Sequence, residues 1–227
     1  MVAVRRFVRE QSLTLFFLTL FLLSLAFQAA AGHADFTNDQ LQHQSSTVSF
    51  WRYVASSAFM VDVMENWQSE YLQFSLLIVA AVWFVQKGST ESKPIGKEGT
   101  ESDADQKLGK HTVADSPRWA KAGGWRTAIY SNSLLLLMGT IFFLSWFAQL
   151  VTGRIEFNAE QLDHQEAALS LWQYARSADF WSRSLQNWQS EFLAIASMAL
   201  FSIWLRQRGS PESKPVGEPH ASTGAEG

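Results

Sequence analysis

The chain has 227 residues, with 18 Lys and Arg against 21 Asp and Glu for a formal net charge of −3, and no cysteine. Without cysteine there are no disulfides, thiolate metal sites or thiol nucleophiles. Its mean hydropathy lies near zero, an average that hides apolar blocks set between long hydrophilic stretches.

Arg5, Arg6 and Arg9 precede the first block, and Leu13 to Ala31 carries no charge. That length approaches the ~20 residues that cross ~30 Å of hydrocarbon as a helix. The end of the run, Ala29-Ala30-Ala31-Gly32, also fits a cleavable signal peptide. The matching residues further along, Leu150-Val151-Thr152-Gly153, lie mid-chain, so an uncleaved span is expected. Next, Thr37-Asn38-Asp39-Gln40 and Asn158-Ala159-Glu160-Gln161 each place a capping residue three before a Gln, which predicts a short helix starting at both places. The pairs Trp51/Tyr53 and Trp172/Tyr174 suit the headgroup level, where an apolar ring body and a polar edge are both satisfied.

From about Ser57 the pattern turns helical: Met60, Met64, Trp67 and Tyr71 share one face, as do Trp181, Leu185, Trp188 and Phe192. Asp62, Asn66, Ser69, Glu70 and Gln73 lie opposite, so the helix is amphipathic before it becomes apolar. Tyr71 to Val85 gives only about 22 Å of helix against ~30 Å of hydrocarbon. Crossing therefore requires extension back to about Trp67, which draws Glu70 inside the outer boundary. The same holds for Phe192 to Leu205 and Glu191.

The signature Asn66-Trp67-Gln68-Ser69-Glu70 recurs as Asn187-Trp188-Gln189-Ser190-Glu191. The offset of 121 holds from Ser12/Leu13 and Ser133/Leu134 through Gln28/Gln149, Gly32/Gly153, His43/His164 and Tyr53/Tyr174 to Gly88-Ser89 and Gly209-Ser210. The expected architecture is all-α: an integral membrane protein of four transmembrane helices in two parallel tandem repeats, with extended amphipathic outer helices. The first repeat covers residues 1–88, with spans at about 13–31 and 67–86. A flexible cytoplasmic linker, 89–117, is rich in Gly, Ser, Lys and acids. The second repeat covers 118–209, with spans at about 131–152 and 188–206, and a disordered cytoplasmic tail follows over 210–227. Fourteen of the 18 Lys and Arg fall in the amino end, the connector and the tail, which makes those segments cytoplasmic in a multi-pass inner-membrane protein. Repeats that each cross twice enter in the same sense, related by an axis along the membrane normal. Asp62 and Arg183 are then equivalent positions of opposite sign, expected to meet if their face lies at that axis.

Arg9-Glu10-Gln11-Ser12-Leu13 enters the first span, Ala31-Gly32-His33 follows it, the signature occurs twice, and Gly-Ser-x-Glu-Ser-Lys-Pro closes each repeat. On these motifs the chain resembles, over essentially its whole length, a family of bacterial membrane proteins known as a domain of unknown function. The resemblance implies a bacterial cytoplasmic-membrane protein and supplies no activity, cofactor or catalytic residue.

Glu70 and Glu191, with Asn66, Asn187, Gln68 and Gln189 around them, form a candidate polar site for a cation or proton, because an ionisable group within a membrane is expensive unless used. The plainer alternative is that they mark where an interfacial helix enters lipid, with Trp67 and Trp188 as belt residues. His43 and His164 are weak metal candidates lacking any fixed ligand spacing, and no metal or other cofactor is expected. No nucleophile elbow, phosphate loop or zincin motif is present, so no enzyme is expected. The basic residues of the connector are interleaved with acids, which argues against nucleic acid. The expected partners are the lipid bilayer and a protein partner or second copy. The expected role is structural or interactive, the alternative being a small cation- or proton-linked transporter or channel using Glu70 and Glu191.

Overall fold

The computed structural model describes residues 2–43 and 45–224. Among them every regular element is helical: α1 (Val2–Glu10), α2 (Ser12–Gln42), α3 (Phe50–Val54), α4 (Ser57–Trp83), α5 (Arg118–Ala122), α6 (Gly124–Ser131), α7 (Ser133–Asp163), α8 (Leu171–Tyr174) and α9 (Ala178–Phe201), with a 3-10 turn at Gly109–His111.

Helices α2 and α7 are both 31 residues long, about 46 Å at 1.5 Å per residue. Their first residues are 12 and 133 and their last 42 and 163, a separation of 121 at each end. Both are long and apolar enough to cross a membrane. They also continue through the places where the capping spacing predicts new helices, since Thr37 lies inside α2 and Asn158 inside α7. A capping side chain starts a helix only where the preceding backbone has left helical angles. Neither helix contains proline, and a single helical glycine costs only about 1 kcal/mol, so nothing upstream forces that departure.

The expected second and fourth spans differ. Helix α4 ends at Trp83, short of 86, and α9 ends at Phe201, short of 206. Neither joins α2 and α7 as a helix apolar enough to cross by composition, because the signature places Asn, Gln, Ser and Glu near its middle. By length and composition the described residues supply two spans.

The chain divides into two compact units, Met1–Val63 with Thr152–Ala168 and Met64–Val151 with Leu169–Gly227. In the first unit Tyr53 of α3 is buried among the rings of His33, Phe36 and Phe59, with centroids 5.7, 5.4 and 5.5 Å away. The His33 Nε2 lies 2.9 Å from the Val48 carbonyl, and Ser57 Oγ donates to Glu156 at 3.0 Å. Gly32 faces Tyr53 closely enough that a Cβ there would sit 2.2 Å from the phenol oxygen.

The second unit has an interior with many polar side chains. Gln68, Gln149 and Ser184 are fully buried, with Ser69, Ser145 and Ser202 nearly so. On the outer side of α7, by contrast, Phe143, Leu144 and Phe147 are 63, 65 and 58% exposed. Only 6% of the apolar window of α2 and 17% of that of α7 is buried. Phe142, Tyr174, Phe180 and Ile203 are also buried, so the interior combines rings with small and amide side chains beneath a largely apolar exterior.

The connector and tail carry more order than their composition suggests. Each Gly-Ser-x-Glu-Ser-Lys-Pro stretch folds into the same turn: Ser92 Oγ accepts from Gln86 N–H at 2.8 Å and Ser213 Oγ from Gln207 N–H at 2.9 Å. Lys93 Nζ donates to the Gly99 carbonyl and Lys214 Nζ to the His220 carbonyl, both at 2.9 Å. The Gly99 N–H in turn donates to Val82 O at 2.7 Å, satisfying one of the orphan carbonyls at the end of α4. Lys214 is buried and also donates to the Gly88 and Ser222 carbonyls at 2.6 and 3.1 Å. Gly88 has φ of +86° and would place a Cβ 2.4 Å from His220 O, so only glycine meets both demands there.

Candidate functional site

Within the second unit the signature's residues are used in three ways. The first is local: Ser69 Oγ donates to Asn66 O at 2.9 Å and Ser190 Oγ to Asn187 O at 2.8 Å, while Asn187 Nδ2 donates to Arg183 O at 3.0 Å. These bonds back onto the preceding turn of the same helix and are the ordinary fate of such side chains mid-helix.

The second use joins α4 to α9. Trp188 Nε1 donates to Gln68 Oε1 at 2.7 Å, and Gln68 Nε2 donates to Glu65 O at 3.0 Å. Gln68 is therefore buried with both ends of its amide satisfied, the condition for placing an amide inside at all. Trp188 is half-buried, with its indole N–H engaged by this buried side chain. Gln189, the offset equivalent of Gln68, is exposed.

The third use concerns the acids. Glu70 is exposed and Glu191 half-buried, and Glu191 feels the charge of Glu70. The two carboxylates thus lie within electrostatic reach. A groove beside them is lined by Gln73, Leu77, Glu91, Ala194, Ile195, Met198 and Glu212. Glu91 and Glu212 are themselves separated by the 121-residue offset.

Near the start of α9 lies a cluster that sequence reasoning did not assemble. Arg183 Nη1 bonds Glu65 Oε1 at 3.0 Å and Arg183 Nε bonds Asp179 Oδ1 at 3.2 Å. Tyr174, with no exposed surface, donates from its hydroxyl to Asp179 Oδ2 at 2.8 Å. Burial opposes the charge on Arg183, but the hydrogen bond and charge of Glu65 and the charge of Asp179 outweigh it and raise its pKa. Asp62 falls in the first unit and Arg183 in the second; the carboxylates given to Arg183 are those of Glu65 and Asp179. A signal was available. At the three charged positions the halves differ, with Gln186 opposite Glu65, Asp62 opposite Arg183 and Ala58 opposite Asp179. Where two related stretches diverge in charge, the charge serves a contact that only one of them makes.

Burial, followed by Asp179, pushes the Tyr174 phenol well above its ordinary value. Burial, then the charges of Asp62, Asp35 and Glu156, raises Tyr53. A raised phenol contributes stability that is fully present below its unfolded pKa of ~10 and is lost as pH climbs through the folded value. Absorbance titration of tyrosinate should show late-ionising components, one removed by Tyr53→Phe and one by Tyr174→Phe. Titration of both phenols near their ordinary value would refute these burials.

The weak metal candidates remain apart. His43 Nδ1 lies 3.0 Å from Asp39 O and 3.4 Å from Asp39 Oδ1 on its own helix. Among the described residues no group of three or more His, Asp or Glu is gathered for a metal ion, and His164 joins none. Gln149 Nε2 lies 3.5 Å from Ser184 Oγ, from α7 to α9, while its Oε1 is buried without a hydrogen-bond partner.

A family model described as "Domain of unknown function (DUF6766)" matches residues 4–225. No curated protein and no solved structure matches the chain.

Proposed function

The chain belongs to that family, DUF6766, and from its own residues we propose that it is an integral protein of the bacterial cytoplasmic membrane with a structural or interaction role and no catalytic chemistry. The observation that carries this is the inverted distribution of polarity. Gln68, Gln149, Ser145 and Ser184 are inside, while most of the large apolar side chains of α2 and α7, Phe142 excepted, are outside. An apolar surface of that extent on a monomer marks contact with lipid or a partner.

Two tandem repeats, each crossing twice, complete the proposal. Helices α4 and α9 cross as partners of α2 and α7 and bond to one another through Gln68 and Trp188. The Lys and Arg distribution puts both ends and the connector in the cytoplasm. With no native cysteine, single-cysteine variants report topology directly. Ser45→Cys and Glu166→Cys should react with an impermeant maleimide on intact cells, and Ser102→Cys only after permeabilisation. Labelling of Ser102→Cys from outside would sink the topology, and release of the chain by alkaline extraction would sink the membrane reading itself.

A second reading, cation- or proton-linked transport, is favoured by one observation: Glu70 and Glu191 precede by one turn the residues Gln73 and Ala194 of a groove that carries the further acids Glu91 and Glu212. Proteoliposome flux separates the two. The structural role expects no cation or proton flux above that of empty vesicles, whereas flux abolished by Glu70→Gln and Glu191→Gln at unchanged membrane abundance would establish transport.

A further inference from the structure

We propose that the groove walled by Phe143, Trp146, Phe147, Leu150, Trp172 and Trp181 binds a membrane phospholipid, one acyl chain lying along α7 and the phosphate at Arg176. The walls are aromatic and fixed. The Trp146 ring stacks on Phe180 at 5.8 Å and meets Trp181 edge-on at 6.0 Å. Both inner indole N–H groups are already engaged, Trp146 Nε1 by Ser184 Oγ at 3.3 Å and Trp181 Nε1 by the Ala175 carbonyl at 3.0 Å. The rings therefore present carbon to the groove, and whatever sits there is apolar.

The surroundings specify a lipid. Phe143 and Phe147 belong to the exposed apolar side of α7, so the groove opens onto the surface that the membrane reading immerses in acyl chains. From Phe143 to Leu150 it follows α7 for about 10 Å, up to the last turn before the uncharged run closes at Gly153. Arg176 is exposed and stands one residue beyond Ala175, which lines the groove. We take its guanidinium, next in sequence to the groove lining, to meet the phosphate it complements.

The two halves of the chain separate on these residues. The offset equivalents of Phe143, Trp146, Phe147 and Trp181 are Leu22, Leu25, Ala26 and Met60, and that of Arg176 is Ala55. Four of the six aromatic residues lining the groove, and Arg176, are thus particular to this half, while Trp172 and Phe180 keep aromatic equivalents in Trp51 and Phe59.

The inference rests on the membrane reading, and the experiment keeps the two apart. The full chain is purified from membranes in mild detergent and weighed by native mass spectrometry as wild type, Arg176→Ala, Phe147→Trp, and Phe27→Ala as a control on the exposed side of α2. A phospholipid adduct is expected on wild type and Phe27→Ala. It should fall about tenfold in Arg176→Ala, the loss of one charge-assisted hydrogen bond, and further in Phe147→Trp, whose larger ring fills the groove. Arg176 is a surface residue, so its variant keeps the test intact if Phe147→Trp does not fold. A wild type without adduct, an adduct of equal occupancy in wild type and Arg176→Ala, an adduct lacking phosphorus, or a chain dimer lost in place of a lipid would each overturn the proposal. A chain released from membranes by alkali overturns the membrane reading as well, whereas one that stays embedded but carries no phospholipid overturns only this site.

Discussion

Arg183→Met is expected to lower stability by about 2–3 kcal/mol, below the ~3–5 kcal/mol of a fully buried pair because the guanidinium keeps some contact with water. The arginine is 39% exposed, but its partners Glu65 and Asp179 are only 13 and 28% exposed. Methionine of similar length would leave both carboxylates with less compensation, and Asp179 also holds the hydroxyl of the buried Tyr174. Lysine should rescue only in part, since one ammonium cannot reproduce the fork that addresses Glu65 from Nη1 and Asp179 from Nε. The specific check is a double-mutant cycle with Glu65→Gln, the residue already present at the equivalent position 186. Melting in detergent should show Arg183→Met with Glu65→Gln less destabilised than the sum of the single variants. Strict additivity would mean the two side chains do not act as a pair.

Gly32→Ala should cost about 1–3 kcal/mol, the range for overpacking a well-filled core, although alanine is the better helix former by about 1 kcal/mol. Propensity loses because the new Cβ would lie 2.2 Å from Tyr53 Oη. That ring cannot easily swing away, being held among His33, Phe36 and Phe59. Removing the oxygen makes room, so Tyr53→Phe combined with Gly32→Ala should recover most of the loss in the same melting measurement. An alanine variant as stable as wild type would show that the helix and the ring do not approach as described.

Much of the helical plan was legible in the chain. Apolar runs of sufficient length marked α2 and α7, and the 121-residue offset foretold that their ends would match. The amphipathic starts of α4 and α9 also followed from spacing, whereas the short helices α3 and α8 lie where the sequence showed only aromatic pairs. Thr37 and Asn158 misled because a capping pattern is a local preference, while a helix already propagating gains a hydrogen bond with each added residue. In the Gly-Ser-x-Glu-Ser-Lys-Pro stretches, composition counts what could be solvated and does not see a lysine that finds several carbonyls at once.

The sequence by itself determined where the apolar length lies, which residues recur and how charge is distributed along the chain, since these are properties of order in one dimension. Only the tertiary structure decided which recurring residues are used. It buried Gln68 against Trp188 and left Gln189 exposed, gave Arg183 to Glu65 and Asp179, and walled a groove with the tryptophans of one half alone. The physical reason is that a hydrogen bond or ion pair is fixed within a few tenths of an ångström and a few tens of degrees. Two identical signatures therefore diverge in role as soon as the residues packed against them differ.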